Sequence, residues 1–345
     1  MSRVLVTGSS GMLGSHVVEH FLADGHEVTG LDLAPHPGRT RIREVRADIR
    51  DSDAVLGAMR GADLVVHCAA ALPSYPAQEI RSITVGGTRN VLDAVRKLDI
   101  PRTVYISSTA VYGLPSTVPT PESHPYAPVD PYSRAKAAAE RLAVKAREEG
   151  LAVPILRPKT FVGPGRMGLF SMLFEWAEEG RNFPVLGKGD VRIQMLAIDD
   201  LVAAVRLAAF APAGVANDTF NVAATEFGTL REDFQAVLDE AGHGKRVVSV
   251  PAGPALGALR LLGRAGLSPV YDRLLHKLRG DSYVSTDRIT AALGYAPLYS
   301  NREAILRTYA WWREQPRHHT KARSAGRTSR DPWRQGALSL AKAFF

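Results

Sequence analysis

The sequence predicts an α/β fold, a doubly wound parallel sheet followed by a smaller C-terminal lobe. Three observations predict it. Short β-branched runs alternate with segments of helical period through the first half of the chain. The first of these runs leads straight into a glycine-rich turn and then a helical segment. Beyond about residue 157 the alternation gives way to Gly- and Pro-rich stretches mixed with helices. Strand–helix alternation of this length implies parallel strands with helices on both faces, and ligands in such sheets bind at the carboxyl ends of the strands.

In order, residues 4–7, 27–31, 42–46, 63–68, 102–106 and 153–156 read as strands, rich in Val, Ile, Leu and Thr. Residues 12–23, 51–59, 80–98 and 131–149 read as helices between them. Asp130 is placed as the cap of the last helix, with Pro131 at its first position. Helices near 170–180, 201–210 and 230–241 build the lobe, broken by Gly163-Pro164-Gly165 and Gly187-Lys188-Gly189. The expected division is residues 1–157 for a dinucleotide-binding domain, 158–315 for a lobe with returning segments, and 316–345 for a basic tail.

Composition narrows the class. The 345 residues are 45% hydrophobic and 23% charged, ordinary values for a globular chain. No apolar run reaches the length of a membrane span. The N-terminus enters a strand pattern at once, without a signal-peptide pattern. The single cysteine, Cys68, excludes a disulfide framework and points to a reducing, cytoplasmic setting. The net charge of +8 concentrates in residues 316–345, which carry +6 and leave +2 for the rest. The body therefore lacks the basic surface of a nucleic-acid binder. Residues 256–278 alternate leucines with arginines and read as amphipathic lobe helices, or as an apolar mouth for a greasy substrate or membrane surface. The tail, with Trp333 and two terminal Phe, reads as a frayed end or a weak membrane-surface contact. The histidines show no metal spacing, so no metal site is expected.

Two constellations carry chemistry. Thr7-Gly8-Ser9-Ser10-Gly11-Met12-Leu13-Gly14 joins the first strand to the first helix. Glycines there allow a tight turn, close approach of backbone to a pyrophosphate and close helix–strand packing. The helix start offers N–H groups and partial positive charge to phosphate. This is the phosphate loop of a Rossmann-type fold. Asp32, 18 residues after Gly14, ends the second strand, where a carboxylate takes the adenosine ribose hydroxyls. It would repel a 2′-phosphate, so NAD is favoured over NADP, with Arg39 and Arg41 close enough to soften the bias. Asp48 and Ile49 follow the third strand and are placed to meet adenine, with a helix cap near Asp51 as the alternative for Asp48.

The second constellation is Ser108, Tyr132 and Lys136. Spacing i, i+4 sets the phenol and the ammonium on one helical face. A nearby ammonium lowers the phenol's pKa from about 10 toward working pH, which makes Tyr132 an acid/base for a substrate hydroxyl. Ser108, ending its strand, is placed to hydrogen-bond the same oxygen, and Lys136 to hold the nicotinamide ribose as well.

With these residues the chain resembles the extended short-chain dehydrogenases/reductases, also called NAD-dependent epimerases/dehydratases. The resemblance runs from about Val4 to Glu314. The family's glycine motif matches Gly8, Gly11 and Gly14, its His-x-Ala-Ala matches His67-Cys68-Ala69-Ala70, and its Ser-Ser-x-x-Val-Tyr-Gly matches Ser107 to Gly113. Tyr132 and Lys136 match Tyr-x-x-x-Lys. The later runs match Arg157-Pro158, Gly163-Pro164-Gly165 and Ile198-Asp199-Asp200-Leu201. The resemblance implies that Ala69, Ala70 and Pro158 border the cofactor, and that two helices per subunit, residues 80–98 and 131–149, form a homodimer.

Departures from the pattern refine what it implies. Thr109 and Ala110 stand where the family's sugar dehydratases carry Asp-Glu. Thr160 replaces the Asn that helps seat nucleotide sugars, and Ile193 replaces a diphosphate-binding Arg, with Arg192 one place out of register. Thr84 replaces a cofactor-side Asn. The residues around these positions include Leu72, Pro73, Phe161, Met167 and Met195. They are either lobe core or the lining of a cleft for a large, weakly charged substrate, the latter similar to the 3β-hydroxysteroid dehydrogenase branch. Thr109, Lys159, Thr160, Arg166, Arg192 and Met195 are the expected substrate-facing residues, a solvated surface position being the alternative for Lys159, Arg166 and Arg192. Three functions stay open: oxidation or reduction of a secondary alcohol or ketone, epimerisation of a nucleotide sugar with the same groups, and non-catalytic cofactor sensing.

Overall fold

A computed structural model describes residues 1–38, 42–165, 168–251, 253 and 280–315. Seven strands form one sheet: β1 (Arg3–Thr7), β2 (Glu27–Asp32), β3 (Arg43–Arg46), β4 (Leu64–His67), β5 (Arg102–Ile106), β6 (Ile155–Pro158) and β10 (Thr219–Val222). Their order is β10-β6-β5-β4-β1-β2-β3, and every pairing is parallel. The order reverses at β1, so β1 and β4 flank the crevice where an open α/β sheet takes its ligand. Register aligns Thr7 with His67 and His67 with Tyr105, which sets the carboxyl ends of β1, β4 and β5 flush at that crevice.

Alternation along the strands separates two helical layers. Val4, Val6, Val66, Val104 and Leu156 pack beneath α1 (Met12–Ala23) and α7 (Ile198–Phe210). Leu5, Leu31 and Val65 point the other way, onto α2 (Ser52–Met59) and α4 (Gly87–Lys97). Tyr105 and Ile155 meet α5 (Pro131–Glu148) on that same side. Strands buried on both faces explain why the sequence shows continuous apolar runs there and not alternation.

Local chemistry starts the helices. Asp51 caps α2 by accepting from Asp53 N and Ala54 N. Asp130 accepts from Ser133 N while the Ser133 hydroxyl reaches the Asp130 backbone, and Pro131 occupies the first turn of α5. The segment expected as one helix over 80–98 is three pieces: α3 (Ala77–Arg81), a π-turn (Ser82–Gly86) and α4. Within the wide turn the Thr88 hydroxyl donates to Thr84 O at 2.7 Å. Gly87 lies against Ile49, whose side chain a Cβ would meet at 2.7 Å.

The lobe has its own core, with Phe174, Trp176, Phe234 and Tyr309 at its centre. It comprises α6 (Gly168–Glu178), α9 (Leu230–Ala241), α11 (Asn301–Glu314) and two parallel strand pairs. The pairs are β7 (Thr160–Val162) with β9 (Met195–Ala197), and β8 (Phe183–Leu186) with β11 (Val247–Val250). The chain returns to the sheet through α7, the short α8 (Ala213–Ala216), β10 and α10 (Asp287–Leu293). Asp200, at the start of α7, is buried and accepts from Leu298 N at 2.8 Å and Tyr299 N at 3.2 Å, so it ties the last helix to the sheet. The leucine-rich 256–278 stretch, Arg39, Arg41, Arg166, Met167 and the basic tail lie outside the described residues. Among the described residues no helix is long and apolar enough to cross a membrane.

Candidate active site

A cleft of about 520 Å³ opens over the carboxyl ends of β1, β4, β5 and β6. Gly8, Gly11, Met12, Leu13 and Gly14 form its floor at one end. Gly8 has φ +68, a left-handed conformation, and a Cβ there would lie 2.8 Å from Ala69 N. A Cβ on Gly14 would lie 2.0 Å from Gly8 O, so only glycine lets α1 start this close to the loop. No side chain caps α1, which leaves its first-turn N–H groups to a ligand at the cleft floor.

Asp32 stands at the end of β2 on the cleft wall. Its Oδ2 accepts from Ser10 N at 3.0 Å and its Oδ1 from Ala34 N at 3.1 Å. Each carboxylate oxygen can accept more than one hydrogen bond, so a pair of ribose hydroxyls fits the same group. Ile49 also lines this end, where its carbonyl accepts from Asn90 Nδ2 at 3.0 Å. Asp48 does too, but its carboxylate is committed to the Arg50 guanidinium, which holds it below the usual carboxylate range. These features fit a dinucleotide: a cradle that a Cβ would fill, an open helix start and a carboxylate with acceptor capacity for a pair of hydroxyls.

Ala69 and Ala70 form the next stretch of wall. A buried chain of hydrogen bonds holds it. Thr88 donates to Thr84 O and so accepts from His67 Nε2, 3.0 Å away, while the Thr7 hydroxyl donates to His67 Nδ1 at 2.7 Å. Ala69 N donates to Thr7 Oγ1 at 3.3 Å. Burial, with the Lys136 charge nearby, pushes His67 down to about 3, so the imidazole is neutral and serves as a strut. Thr84, in the place of the family's Asn, accepts from Ala71 N at 3.3 Å and so braces the wall from behind.

Ser108, Thr109, Tyr132 and Lys136 line the middle of the same cleft, with Pro158 opposite. Ser108 follows β5 and caps a short 3-10 turn (Thr109–Tyr112), its hydroxyl accepting from Ala110 N at 3.1 Å. Thr109 donates to Pro158 O at 3.3 Å. Tyr132 is half-buried at the first turn of α5. Lys136 is buried, and its ammonium donates to Ile106 O at 2.9 Å. Burial pushes it down to about 8. The glycine loop, Asp32, Ser108, Tyr132 and Lys136 are therefore brought to one cavity from segments more than 100 residues apart.

The expected substrate-facing residues separate. Lys159 and Thr160 line the cleft with Phe161. The Lys159 ammonium donates to Ser282 O at 2.7 Å and Ser282 Oγ at 2.8 Å, which anchors residues 281–285 beside the site. Arg192 does not line the cleft; its guanidinium stacks on Phe227 at 4.7 Å and Tyr283 at 5.2 Å. Met195 is buried in the lobe core and also lies outside the lining. Arg166 lies outside the described residues.

One group absent from the sequence reading is Glu140, fully buried on α5. Its Oε1 accepts from Tyr126 OH at 2.8 Å and Arg157 Nε at 2.9 Å, and its Oε2 accepts from the Ser107 hydroxyl. Arg157 also donates to Tyr112 OH at 2.7 Å, and that phenol donates to Asn221 Oδ1 at 2.7 Å. The available signal was a glutamate one turn past Lys136, with Ala137 and Ala143 at i−3 and i+3.

Comparison with known proteins agrees with this geometry. Residues 4–223 match the NAD dependent epimerase/dehydratase family. Protein y4nG of Sinorhizobium fredii, described as uncharacterized, is 36% identical over 99% of this chain and 85% of its own. A 3β-hydroxysteroid dehydrogenase/Δ5→4-isomerase of Mycobacterium tuberculosis is 28% identical over 95% of this chain and 96% of its own. The UDP-glucose 4-epimerase of Thermotoga maritima, solved with UDP-glucose, shares the fold with a TM-score of 0.75 and 23% identity, over 90% of this chain and 98% of that one. The dinucleotide that the cradle fits is accordingly NAD, and the chain belongs to the NAD-dependent epimerase/dehydratase family of enzymes.

Proposed function

We propose that this chain is an NAD-dependent oxidoreductase acting on a secondary alcohol or ketone of a large, weakly charged, sterol-like substrate. The observation that carries the reading is the lining of the cleft beyond Ser108. Leu72, Pro73, Tyr75, Ile83 and Phe161 make much of it apolar, beside Thr109, Lys159 and Thr160. Among the described lining residues the cations are Lys136 and Lys159, and each ammonium already donates to protein oxygens. A sugar diphosphate brings two negative charges, and leaving them in an apolar wall is costly. A ring system would bury its surface there instead. The similarity to the mycobacterial 3β-hydroxysteroid dehydrogenase/isomerase supports the same substrate class.

Bound in the cleft, NAD supplies the acceptor or donor of a hydride. The chain's own residues manage the proton and the geometry. Tyr132 takes the proton of the substrate hydroxyl, or returns it to a carbonyl oxygen. The Lys136 ammonium favours the phenolate form of Tyr132 and would hold the nicotinamide ribose. Ser108 hydrogen-bonds the reacting oxygen and orients it. Epimerisation of a nucleotide sugar would use the same three groups, and the fold likeness to the UDP-glucose 4-epimerase keeps it as the second reading.

The test is NADH formation from NAD by the purified protein with dehydroepiandrosterone, a 3β-hydroxysterol, in parallel with epimerisation of UDP-glucose. The NAD released on denaturation is counted in the same sample. Turnover of the sterol with NAD as an exchangeable co-substrate is the expected result. Stoichiometric tightly held NAD together with UDP-galactose formation would overturn it in favour of the epimerase.

A further inference from the structure

Helix α5 carries a third ionisable group on the stripe of Tyr132 and Lys136. Glu140 follows Lys136 by one turn and Tyr132 by two, so the three share a face. Its neighbours at i−3 and i+3, Ala137 and Ala143, are both buried. Its partners come from three other segments: Ser107 after β5, Tyr126 from the loop before α5, and Arg157 on β6. Arg157 and Glu140 form an ion pair with side-chain exposures of 5% and 0%. Such a pair is weak evidence for stability, because apolar residues of similar volume often pack at least as well. What this pair does is positional. The Lys136 ammonium holds Ile106 O, and the Glu140 carboxylate holds the Ser107 hydroxyl. Two consecutive residues at the end of β5 are thereby pinned to α5, immediately before Ser108.

We propose that Glu140 is a positioning residue for this site: through Ser107 it holds Ser108 in register with Tyr132, and its negative charge steadies the Lys136 ammonium. The inference rests on the Ser108–Tyr132–Lys136 reading given above. The groups that face Lys136 are His67 and Cys68 at the end of β4, the Tyr105 ring at 5.7 Å and Ile106 O on β5, and Tyr132 and Glu140 on α5. Burial lowers Lys136, and the charges that oppose the shift are those of Cys68 and Glu140. Cys68 is itself raised to about 12, so it is a neutral thiol at working pH and Glu140 is the standing counter-charge.

The first measurement needs no substrate. Lysine labelled with carbon-13 at Cε is followed by NMR against pH in the full chain, with the Lys136 signal assigned through Lys136→Met. The wild-type midpoint is expected near 8. Glu140→Gln should lower it by about one pH unit or more, and Glu140→Asp should restore it. If Glu140→Gln strands the Arg157 guanidinium and does not fold, Glu140→Gln with Arg157→Met removes both charges and should give a shift in the same direction but smaller, because the opposing Arg157 charge leaves with the carboxylate. An unchanged midpoint overturns the counter-charge role. The second measurement is Ser107→Ala, assayed with whichever of dehydroepiandrosterone or UDP-glucose the wild type turns over. It should lower kcat about ten- to a hundredfold with NAD affinity kept. Unchanged kcat overturns the clamp. Full turnover by Tyr132→Phe would instead sink the underlying site reading, whatever Glu140 does.

Discussion

The two ends of the cleft are built by different means. At the cofactor end, contiguous residues do the work. Gly8 to Gly14 makes a loop whose shape depends on missing side chains, and Asp32 is hydrogen-bonded to Ser10 within that same unit. Behind the other end, where Lys159 lines the cleft, the lobe is tied together by contacts between distant segments. Lys159 reaches Ser282, Arg192 stacks on Phe227 and Tyr283, and Asp200 holds residues 298 and 299. The difference teaches that charged residues near a site, read from sequence, are poor guides to substrate charge. Each of these charged groups has a structural partner in the fold.

That contrast can be broken in four places. Tyr132→Phe, where the two ends meet, should lower kcat by about a hundred- to ten-thousandfold while NAD affinity, read by calorimetry, stays near wild type. Gly14→Ala belongs to the cofactor end. With its Cβ placed 2.0 Å from Gly8 O, it should cost about 1–3 kcal/mol in urea unfolding and lose most NAD affinity. Retention of both would mean that the loop is not the cradle. Asp32→Ala should weaken NAD about ten- to a hundredfold and narrow the preference over NADP. An unchanged cofactor ratio would move the ribose contact elsewhere. Lys159→Met probes the substrate end and should have the smallest effect, about 1 kcal/mol in unfolding with NAD affinity unchanged. A large loss of NAD binding there would show that the two ends are not separable.

The fold and the cofactor end were legible because they follow from local rules. Buried parallel strands read as apolar runs, a capping box and Pro131 announce α5, and glycines mark a turn where Cβ atoms do not fit. The pairing of Ser108 with Tyr132 and Lys136 was legible through motif and spacing. The π-turn at Ser82–Gly86 was not; Thr84 within it and Thr88 just after it bond Ala71 and His67 of other elements, which no local pattern shows. Glu140 is not legible for a similar reason: a glutamate on a helix reads as solvated until the partners that bury it are known. Met195 reads equally as core or cleft wall, and the pairing of β9 with β7 puts it inside the lobe.

The sequence by itself determined the alternation of strands and helices, the glycine loop, the carboxylate of Asp32 at the end of β2 and the Tyr–Lys pair on α5. Each of these depends on backbone conformation or on neighbours within one or two helical turns. Tertiary structure alone decided which charges face the cleft. The ends of Lys159, Arg157, Arg192 and Asp200 are settled by partners between 17 and 123 residues away. No local pattern encodes such a distance, because the partner is chosen by how the lobe closes on the sheet.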